Sequence, residues 1–308
     1  MATLLPLGFT PIIIYFLYLR SQSRTAFSRA LATIIKMNKT ILIILILITT
    51  LSCETEKTTE IIVIGALHKP EPNFNPEILF DILEDVKPDF ILRELDSSSF
   101  TSDFRHKNVS NSNEGMASEK YAQKYPTTHL RPYEFEGRNE YRINIGSRPT
   151  DGFTTKLIDS LNKADLLSTL EAEIHNKYKA LLEPLIVLAS KSPENFNNPT
   201  TDSICAERQY YQYKMLTKIT NKRNEFETRF HTKPNGEKIS YRDGFQLAGD
   251  FWDLRNQTMA KNIMRISEQN QGKKIVVLCG FMHRYYILSE LKKLTKDKNI
   301  ILKEYYEK

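Results

Sequence analysis

The stretch Ile61 to Asp96, IIVIGALHKPEPNFNPEILFDILEDVKPDFILRELD, constrains the fold more than any other part of the chain. Ile61 to Ile64 is a β-branched run stopped by Gly65, which suits a strand buried on both faces. His68 falls just past its end. Asn75 before Pro76 reads as a helix start, with the cap side chain accepting backbone N–H groups and proline at the first helical position. Ile78, Leu79, Ile82, Leu83 and Val86 then recur at helical spacing until Pro88 stops them. Phe90 to Leu92 opens a second strand that closes on Arg93, Glu94, Leu95 and Asp96. A strand, a crossover helix and a strand of this length make a parallel pair. Parallel strands end on one edge, so His68 and Glu94 are expected to be neighbours there, where open α/β sheets bind ligands.

A second stretch repeats the design. Ile275 to Cys279 is apolar, and Gly280, Phe281, Met282 and His283 follow, so a glycine again precedes a histidine by three positions. Ile287, Leu288, Leu291 and Leu294 form a helical face after it, and Ile300 to Leu302 reads as a final edge strand. Asp250 to Ile266 reads as a helix whose face runs Phe251, Arg255, Met259 and Ile263. The arginine in that apolar register is expected to reach a buried carboxylate or an anionic ligand group, the alternative being a stem that snorkels to solvent. The fold expected is α/β, a mainly parallel sheet flanked by helices, in one domain over residues 61–304 with an α-helical insertion at about 150–230.

Within the insertion, Leu166, Leu167, Leu170, Ile174, Tyr178, Leu181 and Leu182 suggest one amphipathic face. Ile204, Tyr211, Met215 and Ile219 suggest another. Pro193 to Thr201 reads as a break between them, and Pro234 to Gly236 as a tight turn. Tyr210, Tyr211 and Tyr213 read first as core and second as ligand contacts. Ser97 to Glu119, rich in Ser, Asn and charge, reads as a long loop beside the site, with His106 a solvated residue on it. His129 to Gly137 reads as a third strand. The charges at its end, Glu134, Glu136 and Arg138, are either a further part of the pocket or solvated edge charges.

The N-terminal 52 residues contain five basic residues and no acid; without them 38 bases face 37 acids. Five of the six net positive charges therefore sit in the leader, the rest of the chain is nearly neutral, and no nucleic-acid partner is expected. Lys39, the apolar run Ile41 to Ile48 and the sequence up to Cys53 read as a secretory signal over 37–53. The run is too short to span a bilayer. Its end resembles a lipobox in which Cys53 is lipidated, with Thr50 standing where leucine is usual. Residues 54–60 are then a tether, and the expected location is the cell envelope, with the protein held to a membrane by lipid. Residues 1–36 read as an over-extended start before Met37, the alternative being a genuine membrane segment. Cys279 reads as a small buried hydrophobe. No spacing pattern supports pairing it with Cys205.

Two imidazoles and a carboxylate at one sheet edge suit a divalent transition metal such as Mn, Co or Zn, and equally suit acid/base activation of water. GALH at 65–68, PDFILRELD at 88–96, RNQTMAKNI at 255–263 and CGFMH at 279–283 together resemble the TraB, PrgY and GumN family. That family is related to the Tiki metalloproteases and more distantly to the erythromycin-esterase-like and ChaN-like proteins. The resemblance runs in order from about 60 to 304, although 97–230 match nothing in it. It implies that His68, Glu94, Arg255 and His283 line one pocket. It also implies three outcomes: a metal-dependent peptidase with His68, Glu94 and His283 as ligands, an esterase-like hydrolase using His and Glu without metal, or a haem-binding lipoprotein. A scaffold without catalysis remains the bland alternative. A peptide or a small molecule is the substrate expected of the first two.

Overall fold

The two apolar strands of the sequence pair side by side inside a five-stranded sheet. In a computed structural model the described residues are 57–108 and 110–307, with Arg29 and Lys36. Glu56–Lys308 form one compact unit. The readings placed on residues 1–56, namely the Met37 start, the signal over 37–53 and lipidation of Cys53, lie outside the described residues.

Strand β1 spans Thr59–Ala66, so the expected tether over 54–60 gives way to sheet at its last two residues. Helix α1 covers Pro76–Val86, and the Asn75 side chain caps it by accepting from the N–H groups of Glu77 and Ile78. Strand β2 is Phe90–Arg93, helix α2 Asn113–Lys124 and strand β3 His129–Pro132. Helices α3 (Arg138–Asn144), α4 (Ser147–Lys163), α5 (Thr169–Ala180), α6 (Leu182–Ala189), α7 (Pro199–Tyr210) and α8 (Leu216–Lys222) follow, with a π-helical turn at Tyr211–Met215 joining α7 to α8. A hairpin of β4 (Phe230–Thr232) and β5 (Lys238–Ser240) leads into the 29-residue helix α9, Tyr241–Gln269. Strand β6 (Lys274–Gly280), helix α10 (Phe281–Leu294) and strand β7 (Ile300–Lys303) complete the order.

The five-stranded sheet runs β3-β2-β6-β1-β7 with every neighbouring pair parallel. β1 and β2 are therefore parallel as expected but do not touch. β6 lies between them, pairing Ile61 with Ile275 on one side and Phe90 with Ile275 on the other. β1 and β6 are the longest strands, and because side chains alternate between faces, each feeds two cores. Ile62, Ile64, Val276 and Leu278 pack under α1 and α2 with Leu79, Leu83, Ala117 and Tyr121. Ile61, Val63, Ile275 and Val277 pack against Met259, Ile263, Ile287 and Leu291 of α9 and α10. This two-sided burial is why both strands read as continuous apolar runs.

A third core, with Ile158, Leu161, Ile174, Leu216, Ile219, Phe226 and Phe245, holds the helical insertion. Phe245 belongs to α9, whose first turns pack here while its later turns cover the sheet. The helix thus ties the insertion to the sheet. The single face expected from Leu166 to Leu182 is broken: Ser168 starts α5 with a capping box, leaving Leu166 and Leu170 59% and 58% exposed. The loop expected over 97–119 ends early, because α2 begins at Asn113. The strand expected over 129–137 stops at Pro132.

Two close approaches fix the top of β1. A β-carbon on Gly65 would lie 2.9 Å from the Cα of Phe281, so only glycine lets α10 start this near the strand. Asn197 completes the backbone there. Its side-chain oxygen accepts from the Gly65 N–H at 2.6 Å, and its amide donates to the Gly65 carbonyl at 3.0 Å. Arg284, fully buried one turn into α10, donates to the Val63 carbonyl and pairs with Asp202 and Glu304.

Candidate functional site

The carboxyl ends of β1, β2 and β6 lie on one edge, and each delivers one of the expected side chains. His68 follows β1 in a loop clasped by Asn113 at the start of α2. The Asn113 amide donates to the carbonyls of Leu67, Lys69 and Phe74, and its backbone N–H donates to that of His68. The next residue, Glu114, is buried and meets His68 Nδ1 at 2.6 Å. The imidazole itself is 64% exposed. The bond to Glu114 raises the His68 pKa above its ordinary 6.5 against the opposing effect of burial. With Nδ1 occupied, Nε2 is the free atom of the ring. A β-carbon on Gly280 would lie 3.2 Å from that Nε2 and 3.7 Å from Glu94 Oε2, which places both groups over the end of β6 and explains the glycine.

Glu94 follows β2 by one residue. Its Oε2 accepts from the Gly280 N–H at 2.7 Å and its Oε1 from Arg255 Nη2 at 2.5 Å. Burial pushes this carboxyl upward, but the adjoining His283 and Arg255 and the Gly280 N–H outweigh it and hold the pKa at about 2. Arg255 comes from α9 and also grips Glu134, through Nε at 3.0 Å and through Nη2. Glu134 in turn accepts from Arg138 at 3.0 Å. Between two carboxylates the guanidinium stays charged despite burial.

His283, in the first turn of α10, is buried, and its Nδ1 lies 2.7 Å from Asn256 Oδ1. The amide oxygen only accepts, so Nδ1 carries the proton. Nε2 then accepts from Arg255 Nη1 at 2.7 Å. Burial drives its pKa down to about 3, which Glu94 only partly counters, so the ring is neutral. Trp252 stacks on it, with centroids 4.3 Å apart and planes at 20°.

His68, Glu94, Arg255 and His283 thus converge as the sequence suggests, and Arg255 reaches buried carboxylates rather than solvent. Other expectations change. Glu136 stays at the rim, accepting from the backbone and hydroxyl of Ser97, and Arg138 serves Glu134 instead of the cavity. Glu134 is the residue of that cluster that enters the site. His106 is not solvated: its side chain packs on Phe100 and meets Glu119 and the buried Arg93. Of the three tyrosines, Tyr213 faces the cavity, Tyr211 packs on the insertion core and Tyr210 is exposed. Cys205 and Cys279 are both buried and free.

A shared divalent cation does not fit this donor set. Both oxygens of Glu94 and Nε2 of His283 already accept hydrogen bonds, and a permanent positive charge, Arg255, bonds to both residues. Among the described residues no group of three or more His, Cys, Asp or Glu side chains is placed to hold a metal ion.

Beside this cluster opens a cavity of about 620 Å³, lined by His68, Gly280, Phe281 and His283 on the sheet side and by Arg208, Gln209, Gln212, Tyr213 and Trp252 from the helices. No serine, threonine or cysteine lines it. The first turn of α10 opens here: its cap residue Gly280 donates to Glu94, and no capping side chain serves the N–H groups that follow. Such a terminus carries partial positive charge and free donors.

No protein-family model, curated protein or solved structure matches the chain.

Proposed function

We propose that the protein is a hydrolase that activates water with a histidine and a carboxylate, acting on an ester or amide bond in a peptide or small molecule. The observation that carries this reading is the pair His68–Glu114. One ring nitrogen is held at 2.6 Å by a buried carboxylate and the other is free beside a cavity. With no serine, threonine or cysteine in the lining to attack the carbonyl, water is the nucleophile. His68 Nε2 takes a proton from water as its oxygen bonds to the substrate carbonyl carbon. The carbonyl oxygen becomes negative and is met by the uncapped N–H groups at the start of α10. The bond to the leaving oxygen or nitrogen then breaks, and His68 returns the proton to that atom.

Glu94, Arg255, Glu134 and His283 have another part. Their hydrogen bonds are directed mostly at one another, so they hold the edge rigid. Glu94 fixes Gly280, the residue from which α10 starts, and adds negative potential near His68. The resemblance to the TraB and GumN proteins supports the same pocket. Its metal-dependent and haem-binding branches are separable from this reading by elemental analysis and by a Soret titration. On location, we keep the reading of an envelope lipoprotein held through Cys53, for which the mass of the mature N-terminus is the test. No helix of the described residues is long and apolar enough to cross a membrane.

The pH dependence of kcat/KM tests the reading. A base works deprotonated, so activity rises with pH, and because His68 is raised, the midpoint is expected above 6.5. In Glu114→Gln the supporting charge is gone and the midpoint should fall. A midpoint unchanged by this substitution contradicts the assignment of His68 as base.

A further inference from the structure

The helical wall of the cavity carries polar groups that the hydrolytic chemistry leaves unused. Gln209, the next-to-last residue of α7, is 6% exposed, lines the cavity, and has a side-chain oxygen with no hydrogen-bond partner. A buried acceptor left in this state costs stability unless something donates to it. Its neighbour Arg208 lines the same wall. Among the described residues no carboxylate lies within salt-bridge distance of its guanidinium. Neutral groups hold it instead: the Tyr178 hydroxyl at 3.1 Å, Gln212 Oε1 at 3.3 Å, and the Tyr178 ring 4.8 Å from its Cζ. Its Nε is buried and unpartnered. Arg255 and Arg138, the guanidinium groups of the neighbouring cluster, each have a carboxylate.

The backbone brings these groups to the cavity by an irregular device. The π-helical turn at Tyr211–Met215 interrupts the run from α7 to α8, and Gln212 and Tyr213 on it also line the cavity. Such turns recur at functional sites because they displace side chains from helical register. Beyond them lies an aromatic shelf: Tyr213 and Trp252 have centroids 5.7 Å apart, and Trp252 continues onto His283.

We propose that this wall is the recognition subsite for a free carboxylate, so that the ligand class is N-acyl or peptidyl amino acids. The carboxylate pairs with Arg208, which offers a planar fork of donors suited to it. The adjacent amide N–H donates to the open oxygen of Gln209, and an apolar side chain lies on Tyr213 and Trp252. That such a molecule is also a substrate rests on the hydrolase reading above; that it binds does not.

Trp252 is the single tryptophan of the chain and lies in the cavity, so its fluorescence reports occupancy without turnover. The experiment titrates the full chain with N-acetylphenylalanine and with N-acetylphenylalaninamide, which lacks the charge. The acid is expected to bind at least about tenfold tighter, the scale of one charge-assisted contact. The gap should close in Arg208→Met and persist in part in Arg208→Lys, with melting curves confirming that both variants fold. In Gln209→Glu, which sets a negative charge beside the subsite, the acid should lose its advantage. Equal affinities, no response to either compound, or a gap that survives Arg208→Met overturns the proposal. The two readings fail separately. Preference for the acid without hydrolysis removes only the hydrolase reading, and hydrolysis without that preference removes only the carboxylate subsite.

Discussion

His68→Gln is expected to lower kcat/KM toward p-nitrophenyl esters or N-acyl amino acid anilides by about 10²- to 10⁴-fold, the usual contribution of a positioned general base. The melting temperature should barely move. The side chain is mostly exposed, and its main bond is to a single carboxylate, so its removal leaves no cavity in the core. Glutamine keeps a group near Glu114 but cannot take up a proton at neutral pH. Glu114→Gln is expected to fall between the two, because the ring stays and only its orientation and charge support weaken. An inactive but folded His68→Gln, beside a partly active Glu114→Gln, separates chemistry from architecture. Full activity in His68→Gln would show that the catalytic atom lies elsewhere.

Arg255→Met is expected to have the opposite signature, a large loss of stability. The guanidinium is buried and bridges Glu94, Glu134 and the neutral His283. Methionine fills similar space but leaves two buried carboxylates facing each other without compensation. Removing one partner of a buried ionic cluster costs about 3–5 kcal/mol. For a domain of this size that is a drop in Tm on the order of 10 °C, measured by thermal unfolding. Adding Glu134→Gln to Arg255→Met should return part of the loss, because one uncompensated charge disappears. If the side chain merely snorkelled to solvent, Arg255→Met would change Tm by only a few degrees and the second substitution would give nothing back.

The parts of this site that were legible in the sequence share a physical cause. Strands buried on both faces read as unbroken apolar runs, so β1 and β6 stand out, and a parallel sheet forces whatever follows them onto one edge. His68, Glu94 and His283 follow from that logic, and Arg255 from a charge in an apolar helical register. What stayed hidden depends on tertiary packing. Glu114 lies on α2, whose buried face is built from Gly115, Ala117, Ser118 and Ala122 with one aromatic, Tyr121. Small and polar residues give no apolar periodicity, so the segment reads as loop although it folds as a helix. The signal that was present is Ser112, which caps α2 by accepting from the Gly115 N–H. Glu134 was visible as a charge, but its burial follows from Arg255, 121 positions along the chain. The position of β6 between β1 and β2 could not come from local pattern either, because nothing in a strand's own sequence says which strand it pairs with. Arg208 and Gln209 sit on a helix whose packing partners lie in other elements, and only the cavity gives them a common purpose.

The most direct test of the claim that His68 and Glu114 activate water without a resident metal is the hydrolysis rate of the wild-type chain after exhaustive chelation, with metal content confirmed by elemental analysis. The expected result is an unchanged rate in metal-free protein, because Arg255 and the Gly280 N–H already occupy Glu94, and Arg255 also occupies Nε2 of His283. A rate abolished by chelation and restored by Zn, Mn or Co would contradict it.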